Sequence, residues 1–321
     1  MMNGIVIFFR FLLGNIKKII LIIFLTIVFL FLLFPLSDLN DYASSQVSKR
    51  TQNKVYLQFD QLHLNPFTVT LGLDQVTIDM PQISGLASNK VEVSPSLLAL
   101  FKMKPGGTFR AEGLFKGDVE VQVSPAPSTG TTEKFKIDIN AQNLSLKEAR
   151  QILQLNLPLS GQLNLTAQAV ADVTLAEQPE VDMNLTIQRF ELASTTVSTA
   201  MMGSVNVPQI KFDKVELKGK LSNGKFQIES GKLGSPKDDL YGEIKGELGL
   251  TLTQIQGQVV PQVGVYNITV DLKANAAFQQ RAQLFLSFLD SSRQMVGTTA
   301  TYKFRVQGDP MGQPFNLTPM R

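Results

Sequence analysis

Apolar side chains recur at every second position through most of this chain. Val55, Leu57 and Phe59 alternate with Tyr56 and Gln58, and Val119, Val121 and Val123 alternate with Glu120 and Gln122. The cleanest case is Val181, Met183, Leu185 and Ile187, separated by Asp182, Asn184, Thr186 and Gln188. A period of two is the mark of a strand with one apolar and one wet face. The same pattern predicts strands at Val69–Leu73, Val76–Ile78, Val91–Val93, Phe135–Ile139, Leu163–Val173, Ile210–Leu221, Lys225–Ser230, Tyr241–Leu252, Val265–Ala276 and Thr301–Gln307. Asn223-Gly224, between two of them, is a strong hairpin turn.

One segment breaks the alternation. Ile19 to Leu36 is uncharged throughout, and Thr26 is its only polar side chain. As a helix this run spans roughly 27 Å, close to the thickness of a bilayer core. A helix of a soluble core would show a polar face, and this one has none. Arg10, Lys17 and Lys18 precede it, and no acidic residue occurs before Asp38. Basic flanks stay in the cytoplasm. The expectation is a single-pass anchor, with residues 37–321 outside the cytoplasm. The apolar run is too long for a cleaved signal peptide.

A few helices are expected beside the strands. Ser37–Gln52 reads as a short amphipathic helix just outside the membrane. Pro95–Lys102 is helical in type. Ser145-Leu146-Lys147-Glu148 is a capping box that opens a helix to about Leu155. Phe278–Leu289 reads as another, with Ala282, Phe285 and Leu289 inward. Residues 124–133 (SPAPSTGTTE) hold little that can be buried and read as a linker or long surface loop. The expected organisation is therefore a stub and anchor at 1–36, a β-rich part at 37–123, the loop at 124–133, and a second β-rich part at 134–321. Periodicity does not choose among a closed barrel, a two-layer sandwich and a long open sheet.

Charge sharpens this picture. The chain has 30 basic and 27 acidic residues, and three of the basic ones lie in the first 36. The remainder is 27 against 27, so the part beyond the anchor is formally neutral. A neutral domain without a basic patch argues against nucleic acid as partner. There is no cysteine, so stability must come from burial and not from disulfides.

The search for chemistry returns little. His63 is the only histidine, and its sequence neighbours offer no partner set. With one histidine and no cysteine, the usual zinc ligand sets cannot be built. No nucleophile elbow, phosphate-cradling loop or paired-carboxylate motif is present. The glycines of Lys104-Pro105-Gly106-Gly107 precede a strand and read as a turn. The expectation is a protein with no enzymatic activity and no cofactor. Asn143, Asn164, Asn184, Asn267 and Asn316 begin Asn-x-Ser/Thr triplets, and those on strands read as wet-face residues. What remains is apolar surface on a long sheet, either a core or a groove, with Val181, Met183, Leu185 and Ile187 as the candidate groove residues.

Several stretches carry a resemblance. The chain has an anchor ending in Phe34-Pro35, then Pro95-Ser96-Leu97-Leu98-Ala99-Leu100. Val215–Phe226 (VELKGKLSNGKF) and Tyr241–Leu248 (YGEIKGEL) follow, and the chain closes with Tyr302–Pro310 (YKFRVQGDP). Together these resemble type II secretion system protein N, in the form related to the AsmA-like proteins. The resemblance implies a bacterial inner-membrane protein with a periplasmic, elongated and curled antiparallel sheet. It implies work in, or beside, type II protein secretion, with secretion-system envelope proteins as partners. The AsmA-like side implies instead an apolar groove that handles membrane lipids. It brings no catalytic residues.

Overall fold

The computed structural model describes residues 16–18, 21–22, 25–26, 29, 39–65, 68–81, 83–96, 99, 104–127, 133–153, 155–172, 174–199, 203–255, 258–310 and 313–320. The described residues of the N-terminal apolar segment are helical, and the rest of Ile19–Leu36 lies outside them. Among the described residues no helix is long and apolar enough to cross a membrane. Of Pro95–Lys102, Ala99 is described as helical, while Leu97, Leu98 and Leu100–Lys102 lie outside.

Helix α1 (Leu39–Arg50) leads into the strands. These are β1 (Tyr56–Gln58), β2 (Gln61–Asn65), β3 (Thr70–Met80), β4 (Ile83–Pro95), β5 (Gly107–Leu114), β6 (Gly117–Pro125) and β7 (Lys134–Ser145). Helix α2 (Leu146–Ile152) separates β7 from β8 (Leu159–Asp172) and β9 (Glu180–Leu192). The strands continue with β10 (Thr195–Thr199), β11 (Gly203–Val207), β12 (Ile210–Ser222), β13 (Lys225–Leu233), β14 (Leu240–Ile255) and β15 (Gln258–Ala274). Helices α3 (Ala276–Arg281) and α4 (Gln283–Ser287) precede β16 (Arg293–Val296), β17 (Thr299–Asp309) and β18 (Gln313–Pro319).

Sixteen of these strands, among the described residues, form one antiparallel sheet. Its order is β1-β3-β4-β5-β6-β7-β8-β9-β12-β13-β14-β15-β17-β16, with β2 also on β3 and β18 also on β17. Neighbours in space are mostly neighbours in sequence, a meander. The order is linear, and β1 at one end is not paired with β16 at the other, so the sheet is open and not a barrel. Strands β6 and β7 pair on either side of this segment, Ser124 with Lys136 and Pro125 with Phe135, and residues 128–132 lie outside the described ones. The β10–β11 hairpin stands apart as a second small sheet.

Several strands are longer than the alternation suggested, and the reason is local. Gln75, Asn143 and Arg189 have φ of 50°, 57° and 51° inside β3, β7 and β9. A single left-handed residue in a strand turns the following side chains to the other face. Apolar spacing therefore jumps from two to three at each point: Leu73 to Val76, Ala141 to Leu144, and Ile187 to Phe190. Val69–Leu73 and Val76–Ile78, expected as two strands, are one. Val69 itself precedes it with φ 54°.

Half of the capping box forms: Ser145 Oγ accepts from the Glu148 N–H at 3.4 Å, while the Ser145 N–H donates to the Phe115 carbonyl and the Glu148 carboxylate pairs with Lys116. The expected Phe278–Leu289 helix is two short ones, broken at Ala282. Asn275 caps α3 by accepting from the Phe278 N–H at 2.9 Å. Phe278, Ala282 and Leu286 are buried, and Phe285 and Leu289 pack beside them.

Candidate functional site

The register turns the four apolar residues of β9 into four rows that cross the sheet. Leu185 pairs with Leu165 on β8 and Leu217 on β12. Followed outward, this row reads Leu73, Val91, Ala111, Val119, Ala141, Leu165, Leu185, Leu217, Gly231, Ile244, Val270 and Phe304, one residue from each of twelve strands. No polar side chain interrupts it. With strands about 4.8 Å apart, eleven steps span roughly 53 Å.

Met183 belongs to a second row that runs from Leu71, Val93 and Phe109 through Val121, Ile139 and Ala167 to Gly219, Ile228, Gly246, Ile268 and Val306. Val181 sits in a third, between Ala169 and Leu221, and Ile187 in a fourth, between Leu163 and Val215. All four predicted residues are half-buried, while Asp182, Asn184 and Gln188 on the other face are exposed. The register places them side by side on one surface.

Coverage of that surface is uneven. At the β15–β17 end, α3 and α4 lay Phe278, Ala282 and Leu286 against Ala274, Ala300, Tyr302 and Phe304. Phe212 and Leu240 close the same cluster, and Phe190 stacks on Phe212 with ring centroids 5.8 Å apart. The Tyr302 hydroxyl is pushed above its ordinary pKa by this burial. At the other end a smaller cluster forms from Val76, Val91 and Ala111, with Leu57 and Phe59 against it. Beside that cluster, on the second row, Leu71, Val93 and Phe109 remain 36%, 44% and 39% exposed. They are adjacent in register, so the exposure is a patch and not three isolated residues.

The opposite face is charged and paired across and along strands. Arg110 meets Glu120 at 3.2 Å, Lys136 meets Asp138 at 3.0 Å, and Lys220 meets Asp182 at 3.6 Å. Hollows lie on this face: one of about 540 Å³ is lined by Gln122, Asp138, Gln168 and Asp182, and one of about 920 Å³ lies over β2–β5. The larger holds the residue whose partner sequence reasoning missed. His63 Nε2 lies 3.0 Å from Asp74 Oδ2. They are eleven residues apart in the chain, and only the pairing of β2 on β3 brings them together. Among the described residues, no group of three or more His, Asp or Glu could hold a metal ion.

No family model, no curated protein and no solved structure matches this chain.

Proposed function

We propose that this chain is a non-enzymatic protein of the bacterial envelope, anchored in the inner membrane by Ile19–Leu36, whose periplasmic sheet receives the acyl chains of membrane lipids on its apolar rows. The observation that carries the reading is the continuity of those rows: twelve strands with no polar interruption, sealed by helices at one end and still wet at Leu71, Val93 and Phe109. A methylene chain laid along such a surface gains about 0.8 kcal/mol for each CH₂ removed from water. Curling of the sheet around its apolar face, the AsmA-like arrangement, belongs to this proposal.

A second reading, a component of or accessory to the type II secretion system, is supported by the resemblance of Val215–Phe226, Tyr241–Leu248 and Tyr302–Pro310 to that family. In that case the apolar rows receive a partner protein instead of lipid.

The test is Leu185→Asp in the full chain, with Asn184→Asp as the wet-face control. The acyl-chain reading expects a folded Leu185→Asp protein at normal abundance that no longer co-purifies with lipid, while the control keeps it. Normal lipid with lost secretion favours the second reading. An unfolded Leu185→Asp protein marks the row as sealed core and ends the first.

A further inference from the structure

The cavity over β2–β5 lies on the face away from the apolar rows, and its wall is built. Gly72 on β3 faces His63 on β2 in register. The imidazole occupies the space a side chain at 72 would need, since a Cβ there would come within 2.7 Å of His63 Cδ2. Glycine lets the ring lie down on β3 and reach Asp74, two residues along the same face. The two cations of the wall are also engaged. Lys90 pairs with Glu92 at 2.6 Å and Arg110 with Glu120 at 3.2 Å. The carboxylate beside each cation offsets its charge and weakens its pull on an anionic ligand.

Beside these pairs, one row further along the strands, runs a relay of hydroxyls. Thr68 Oγ1 and Thr70 Oγ1 are 2.8 Å apart, and Thr70 Oγ1 and Ser94 Oγ are 2.8 Å apart. Thr108, also on the wall, pairs with Ser94 in register. A hydroxyl donates once and accepts twice, so a relay of this kind keeps acceptor capacity for a ligand. Its best match is a ligand whose own groups both donate and accept. A volume of about 920 Å³ has room for more than one small ring.

We propose that this cavity binds a neutral, hydroxyl-rich carbohydrate, either a free oligosaccharide or the sugar headgroup of a glycolipid. The site is separate from the apolar rows and does not depend on what they carry.

The chain's single histidine makes the test direct, because an isotope-labelled imidazole gives one signal and it comes from the cavity. Full-length protein in phosphatidylcholine nanodiscs is titrated with maltotriose, with digalactosyl diacylglycerol added to the bilayer, and with inorganic phosphate. The proposal expects a saturable shift of the His63 resonance with a sugar probe. Response to maltotriose identifies a soluble sugar as sufficient, and response to the glycolipid alone identifies a headgroup. Thr70→Val should keep the unliganded imidazole signal in place and weaken binding about tenfold, the size of one lost hydrogen bond. Lys220→Ala, outside the cavity, should titrate like the parent. The proposal is overturned if neither sugar moves the signal, if phosphate alone moves it, or if Thr70→Val binds as tightly as the parent.

Discussion

The two ends of the apolar face are written in the same alternation and behave differently. Around β15 and β17 the rows end under α3 and α4, and Ala274, Phe278, Ala300 and Tyr302 are out of reach of water. Around β3–β5 the first row is buried at Val91 and Ala111, but the second ends in Leu71, Val93 and Phe109, which water still touches. The residue types follow this division. The sealed end interleaves large rings with alanine, the jigsaw a tight core needs. Among the described residues, the wet stretch sets Leu71, Val93 and Phe109 side by side with no alanine between them. Alternation thus states which face is apolar, and docking of later elements decides whether that face is a core.

Four changes would break or sharpen this contrast. The largest effect is expected at the sealed end. Phe278→Ala removes a fully buried ring from under α3 and should cost about 3–5 kcal/mol. Chemical denaturation would read this loss. A cost under about 1 kcal/mol would mean the cluster is not a core.

Next comes the β8–β9 turn, which lies away from that cluster. Asp172 is buried there and accepts from the Thr174 N–H at 2.8 Å, the Thr174 hydroxyl at 2.9 Å and the Ala176 N–H at 3.0 Å. The Thr174 bonds, the backbone one first, hold its carboxyl below the usual aspartate range. A carboxylate with a depressed folded pKa stabilises the fold above its unfolded value of about 3.9, and that contribution fades as pH falls through the lower folded value. The melting temperature of the parent should therefore drop more steeply on acidification than that of Asp172→Asn. Parallel curves would remove Asp172 from the account.

Val93→Asp comes third. At a wet position the new carboxylate stays hydrated, and the cost should be about 1 kcal/mol or less. A collapse of the melting transition would show that Val93 is covered after all. The smallest effect is expected on the charged face. Lys220→Ala breaks an exposed pair with Asp182 and should change stability by less than about 0.5 kcal/mol.

Much of the sheet was legible in the sequence. Strands β6–β9, β12–β15 and β17, the Ser145 cap of α2 and the apolar side of β9 follow from period and caps alone, while β10, β11 and β16 carry no such signal. The parity steps were visible but misread. The interval of three from Leu73 to Val76 looks like two strands, when it records one left-handed residue at Gln75. The same interval hid the extension of β9 beyond Ile187 to Phe190 and Leu192. Coverage was not legible, because it depends on where Phe278 and Leu286 dock. The partner of His63 was not legible either. Asp74 is one of many acidic residues until register chooses it, and register is a property of the paired strands.

The meander has a consequence of another kind. Nearly every strand is held by the strand just before it and the strand just after it in the chain. Such an array is close to one-dimensional, and its stability accrues module by module. Removing or duplicating one hairpin leaves all other pairings in place and returns the chain in the same direction. The width of the apolar face is then a ruler with graduations of two strands, roughly 10 Å each. Selection can reset that width by a gene edit of some two to three dozen codons, without redesigning either end.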